Sequence, residues 1–133
     1  MSFLHPDDDP RPTGELTLQT LSMPADTNPY GDIFGGWLMS QMDIAGAIHA
    51  QDIACGRVTT VAAGSMSFLR PVPVGATVSC YASVVDIGRT SIRLLIEVWI
   101  RIPHSSHVAK VTEGEFVYVA IDENGRTRPV PGR

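Results

Sequence analysis

The hydrophobic pattern of this chain changes period at Gly56. Before it, residues 33–48 open on a glycine pair and then run apolar or small almost all round, interrupted by Ser40, Gln41 and Asp43. That pattern predicts a helix, and one so apolar belongs inside a fold. It is expected from residue 34 to about 55, with Gly56 as its stop. At about 100° per residue, Phe34, Trp37, Leu38, Ile44, Ala45 and Ile48 share one broad side, the expected core contact. Asp43 falls on the other side, in line with Gly36, Ser40, Ala47 and Ala50. Asp32, just ahead of the helix, is expected to cap it.

After Gly56 the period becomes two, as in strands. In residues 91–102, Ile92, Leu94, Ile96, Val98, Ile100 and Ile102 point one way. Arg93, Leu95, Glu97, Trp99 and Arg101 point the other, a mixed face suited to meeting another subunit. Residues 77–87 form a second strand with Val78, Cys80, Ala82 and Val84 on one face, closed into a hairpin by Gly88-Arg89-Thr90. Residues 108–121 form a last long strand, and the runs 58–61 and 66–69 are one bent strand or two pieces. A short strand over 15–21 precedes the helix, and turn-forming residues 23–31 join them. The order is strand, helix, then four or so antiparallel strands, an α+β architecture in which one curved sheet wraps one central helix. One sheet layer cannot cover a helix apolar on all sides. Assembly through the small-residue face and the sheet edges is therefore expected.

Composition narrows the picture. At 133 residues and 44% apolar the chain has one core. The domain is placed at residues 15–130, with the acidic, proline-rich residues 1–14 read as a flexible tail. A net charge of −4 argues against general nucleic-acid binding. No apolar run approaches the roughly 20 residues of a membrane span, and no basic start with an apolar stretch marks a signal peptide. A cytoplasmic protein is expected. Cys55 and Cys80 lack metal or redox spacing and are read as reduced core residues. His104 and His107 lie in a Pro/Ser loop with no third and fourth ligand, so no metal site is expected.

The candidate chemistry centres on Asp43. A carboxylate within an apolar helix is costly unless paired or used. Two uses fit: a hydrogen-bonded structural aspartate at a helix–helix contact, or a general base or nucleophile. The glycine pair Gly35-Gly36 opens the helix, where free N–H groups and the positive dipole end can polarise a carbonyl that is becoming an oxyanion. A plain tight turn into the helix is the other reading of that pair. Gly36 and Asp43 are seven residues apart, about 10 Å along the axis. Two antiparallel helices in a dimer would bring the donor of one to the acid of the other.

The run Met23-Pro24-Ala25-Asp26-Thr27-Asn28, followed by Gly31-Asp32-Ile33-Phe34-Gly35-Gly36-Trp37-Leu38-Met39-Ser40-Gln41-Met42-Asp43, resembles the hotdog-fold acyl-CoA thioesterases, specifically their YciA-like bacterial branch. The likeness continues through Gly56-Arg57-Val58-Thr59-Thr60-Val61, Met66-Ser67-Phe68-Leu69-Arg70-Pro71, Gly88-Arg89-Thr90-Ser91-Ile92 and Glu97-Val98-Trp99. The resemblance implies a hotdog fold and hydrolysis of acyl-CoA thioesters over a broad short- to medium-chain range. It implies a dimeric catalytic unit with sites at the interface, commonly built into hexamers as trimers of dimers. No metal or separate cofactor is implied, coenzyme A being part of the substrate. By the resemblance, Asp43 is the catalytic carboxylate, Gly36, with Gly35, the amide that polarises the thioester carbonyl, and Asn28 a polar loop residue near the reacting group. Thr60, Arg70, Arg89, Thr90 and Ser91 lie where CoA contacts are expected. Arg89, in a tight turn before two hydroxyl residues, is the preferred phosphate ligand. Pro29 and Tyr30 replace smaller residues often seen in that loop, and Ala45 stands where a glycine is common.

Two other readings compete. A hotdog hydratase or dehydratase pairs a histidine with an acid, yet His49, the one histidine on the helix, lies about 120° from Asp43. A non-catalytic acyl-CoA-binding module has no need of a buried carboxylate beside the thioester.

Overall fold

Five strands and one long helix make up the computed structural model, which describes residues 11–132. Most of the expected N-terminal tail lies outside the described residues. The elements are β1 (Glu15–Leu21), α1 (Gly35–Ala54), β2 (Val58–Ala63), β3 (Thr77–Ile87), β4 (Ser91–Arg101) and β5 (Val108–Ala120). A single 3-10 turn, Pro24–Asp26, follows β1. The strands form one antiparallel sheet in the order β1-β3-β4-β5-β2. The helix crosses that sheet and touches every strand. This is the α+β arrangement of a central helix on a curved sheet that the strand–helix–strand pattern predicts.

Alternation sets the inner face. Val78, Cys80 and Ala82 of β3, Ile92, Leu94, Ile96 and Val98 of β4, and Phe116, Tyr118 and Ala120 of β5 are buried against the helix. The register keeps them together, with Cys80 opposite Val98 and Ile92 opposite Tyr118. Two expected members fall outside the core: Val84 precedes a bulge in β3, and Ile102 lies past the end of β4; both are exposed. Residues 66–69 are not a strand. They run as a loop beside β5, where Leu69 donates its N–H to the Val111 carbonyl and Thr112 donates its hydroxyl to that of Ser67.

The helix sits rotated from the orientation its large residues suggest. Its buried residues are Leu38, Met42, Ala45, Gly46, Ala50 and Ala54, whereas Phe34, Ile44 and Ile48 are exposed. Leu38 and Ala45 of the expected side do meet the core, but they are joined there by Met42 and the small Gly46, Ala50 and Ala54, which let the helix lie close, while Ile44 and Ile48 face outward with Met39 and Ser40. The line through Asp43, Ala47 and Ala50 therefore borders the sheet instead of opposing it. Asp32 does not cap the helix either: Phe34 is the N-cap residue and makes no side-chain cap bond. At the other end Cys55 takes the left-handed conformation at φ 53° and is exposed, so it is a helix terminator and not a core residue. Arg128 completes that terminus by donating from Nη2 to the Ala54 carbonyl at 2.8 Å.

The outer face of β4 is covered in part by the chain itself. Glu97 is 4% exposed, accepts from Trp99 Nε1 at 2.9 Å, and takes the Thr13 hydroxyl on its other oxygen. Among the described residues no helix is long and apolar enough to cross a membrane.

Candidate active site

The site is built where α1, β2 and β5 meet. Asp43, half-buried in the middle of the helix, turns its carboxylate toward the sheet. Its Oδ1 accepts the Thr60 hydroxyl at 2.7 Å and the Tyr118 hydroxyl at 3.2 Å. The Tyr118 hydroxyl also donates to the Asp43 backbone carbonyl at 2.8 Å. Thr60 and Tyr118 are paired across β2 and β5 and so share the inner face of the sheet. A register shift between Thr60 and Ala62 bends β2 just beyond the hydroxyl, the kind of irregularity that re-aims a side chain beside a site. Among the described residues no cation forms an ion pair with Asp43.

The helix start forms a second cluster. Trp37 and Leu38 donate their N–H groups to the Phe34 carbonyl, which leaves the Gly35 and Gly36 N–H groups without an acceptor among the described residues. A Cβ on Gly36 would meet nothing within 4 Å, so the helix surface is open on that side. Gly35 is closer packed, against the Phe68 ring. Beside them lies a cleft of about 400 Å³ whose walls include Asn28, Gly35, Leu38, Phe68 and Arg70. The Asn28 side-chain carbonyl accepts the N–H groups of Tyr30 at 2.9 Å and Asp32 at 3.1 Å. Its carboxamide N–H₂ is thereby oriented away from its own loop as a donor. That loop is anchored by bridges from Thr27 to Ile33 and from Asp32 to Pro73.

Arg89, Thr90 and Ser91 form a third group, at the β3–β4 hairpin. The Arg89 carbonyl accepts from Val130 N–H and that of Thr90 from Ala120 N–H. Ser91 pairs with Val119 while Ile92 pairs with Tyr118, so Ser91 lies on the outer face of the sheet, opposite Asp43. The chain thus joins Asp43 to Thr60, and Asn28 to Gly35 and Arg70, but keeps these sets and the hairpin apart. His49 lies on the helix flank, with Nδ1 3.5 Å from Glu15 Oε2, and does not approach Asp43.

Two residues of the site escape a reading of the helix motif, Tyr118 and Gly46. Their signals are a tyrosine at an inward position of an alternating strand, whose hydroxyl needs a partner, and a glycine three residues after the aspartate.

The sequence pattern of the thioesterase superfamily matches residues 30–105, which include all of α1. The chain is 58% identical over 126 residues to the acyl-CoA thioester hydrolase YciA of Salmonella typhimurium, covering 92% of this chain and 95% of that one. It is similar to a hexameric thioesterase from Yersinia pestis, with a TM-score of 0.88 and 54% identity over 92% of this chain and 100% of that one. It is also similar to a hexameric broad-specificity acyl-coenzyme A thioesterase, solved as an aspartate-to-alanine mutant enzyme. There the TM-score is 0.88 and the identity 49%, over 91% of this chain and 89% of the other.

Proposed function

This chain belongs to the YciA family of hotdog-fold acyl-CoA thioester hydrolases, and from that membership we propose how its own residues perform the hydrolysis. The enzyme adds water across the thioester, releasing free coenzyme A and a carboxylic acid. Asp43 is the acting carboxylate, as general base on a water or as nucleophile on the carbonyl carbon. The Gly36 N–H, with that of Gly35, receives the charge that develops on the thioester oxygen. Asn28 supplies a further donor at the mouth of the cleft. Thr60 steadies Asp43.

The observation that carries this reading is the Asp43 carboxylate held by two hydroxyls on a helix whose first amides are free. Asp43 and Gly36 stand about 10 Å apart along one helix. A site made from the Asp43 of one protomer and the Gly36 and Asn28 of another closes that gap. The outward face of α1, with Phe34, Met39, Ile44 and Ile48 exposed, and the free edge of β2 are the surfaces such a dimer would cover. A hexamer of three dimers follows by similarity to the hexameric relatives. Arg70 and the Arg89-Thr90-Ser91 hairpin are the proposed contacts for the CoA phosphates. Broad short- to medium-chain use is consistent with an open, mixed cleft lined by Leu38 and Phe68.

The test is release of free CoA from acetyl-, butyryl-, hexanoyl-, lauroyl- and benzoyl-CoA by wild type and Asp43→Asn. The expected result is turnover by wild type across several chains and a loss of about a hundredfold in the variant. Binding without release would leave the fold in place and remove the catalytic reading.

A further inference from the structure

Tyr118 is fully buried beneath α1, its ring stacked on Phe116 with centroids 6.5 Å apart. Its hydroxyl emerges at Gly46. Its one O–H proton is shared between two acceptors of the same residue, the Asp43 carbonyl at 2.8 Å and the carboxylate Oδ1 at 3.2 Å. The carbonyl alone would satisfy a buried hydroxyl, so the second, longer branch to the carboxylate is the informative one. Thr60 reaches the same oxygen from β2, so both hydroxyls converge on Oδ1. Among the described residues nothing donates to Oδ2.

We propose that Tyr118 is a positioning residue for hydrolysis: together with Thr60 it pins Oδ1 of Asp43, so that Oδ2 is the oxygen that addresses the water or the thioester carbon. A carboxylate free to spin about its last bond presents either oxygen in many directions. One held at Oδ1 from two strands presents the other in a single direction, and such orientation is worth orders of magnitude in rate. Gly46 belongs to the same device, since the tyrosine reaches the acid only where the helix has no side chain. The tyrosine is not itself the acid or base. Burial, the charge of Asp43 and the hydrogen bond to it all push its ionisation far above the ordinary tyrosine range, so it remains a donor at every working pH. The inference rests on the reading of Asp43 as the reacting carboxylate.

The experiment measures kcat and KM for butyryl-CoA, with thermal unfolding alongside, for Tyr118→Phe, Asp43→Asn and the double variant of the full chain. Tyr118→Phe is expected to lower kcat by about tenfold or more, in keeping with loss of a hydrogen bond to a charged group. KM should stay within about twofold, as expected when an interaction with catalytic machinery and not with bound substrate is removed. In the Asp43→Asn background the same substitution should cost nothing further. Wild-type kcat in Tyr118→Phe, or an equal loss in both backgrounds, would overturn the proposal. Thr60→Val repeats the test on exposed β2 without touching the core: a fall in kcat at constant KM supports the pinned oxygen, and an unchanged kcat refutes it. An Asp43→Asn enzyme as active as wild type removes the reading of the site itself. An inactive Asp43→Asn beside a fully active Tyr118→Phe removes this inference alone.

Discussion

The Tyr118 hydroxyl occupies the volume that a side chain at residue 46 would fill: a Cβ on Gly46 would stand 2.1 Å from its oxygen and 2.8 Å from the ring carbon that bears it. The ring is locked in the core and cannot retreat. Gly46→Ala is therefore expected to destabilise the fold by about 1–3 kcal/mol through overpacking, despite the better helix propensity of alanine. It should also lower kcat, because the tyrosine is pushed off the carboxylate. Chemical denaturation and CoA-release kinetics check both. A variant as stable and as active as wild type would mean that the helix shifts to make room.

Activity should depend on assembly. If the Gly36 donor and the Asp43 acid come from different protomers, specific activity falls as the protein is diluted through its dimer–monomer transition. The midpoint should follow the dissociation seen by mass photometry. A monomer with full specific activity would place the whole site in one chain.

Arg89→Ala should raise KM for acyl-CoA and leave kcat nearly unchanged. The Arg89 side chain is exposed and has no carboxylate partner among the described residues, and its backbone carbonyl is already engaged by Val130. Removing it should disturb phosphate binding and little else. An unchanged KM would direct the search for the phosphate ligand to Arg70.

The two cysteines should separate cleanly. Burial pushes the Cys80 thiol up to about 12 from 9.0, whereas Cys55 is exposed at the helix terminus. A thiol reagent at pH 8 should therefore modify Cys55 rapidly and Cys80 only on unfolding. Linkage adds a second readout. The folded state keeps the Cys80 proton where the unfolded state has lost it. Its contribution to stability is thus complete below about pH 9 and declines as pH rises toward 12. Replacing Cys80 by alanine should remove that part of the alkaline decline in melting temperature.

Periodicity places β3, β4, β5 and α1, because strand alternation and a long apolar run are strong local signals, but the short apolar run 66–69 reads as strand and is a loop. The rotation of α1 was not legible. Ile44 and Ile48 look like core residues by hydrophobicity, yet they are exposed, and Met42, Gly46 and Ala50 take the core side beside Leu38 and Ala45, the small residues among them allowing close approach to the sheet. Asp32 looks like a cap in sequence but does not act as one, because bridges from Thr27 to Ile33 and from Asp32 to Pro73 carry the loop past it and start the helix at Gly35. The glycine pair and Asp43 were visible as a motif. The hold on Asp43 was not, since Thr60 and Tyr118 lie 17 and 75 residues away along the chain and meet it only through the pairing of β2 with β5.

The sheet order leaves β2 with one edge unpaired, and beside it Val61 is 54% and Leu69 63% exposed. If this chain pairs as proposed, a copy newly released from the ribosome carries that open edge until it meets another. The same edge can template a wrong partner as readily as a right one. Overexpression accelerates both encounters, so yield should depend on how fast copies pair as well as on how well each one folds. Slow synthesis at low temperature favours the ordered partner, and inclusion bodies are the expected fate of any variant that folds but cannot pair.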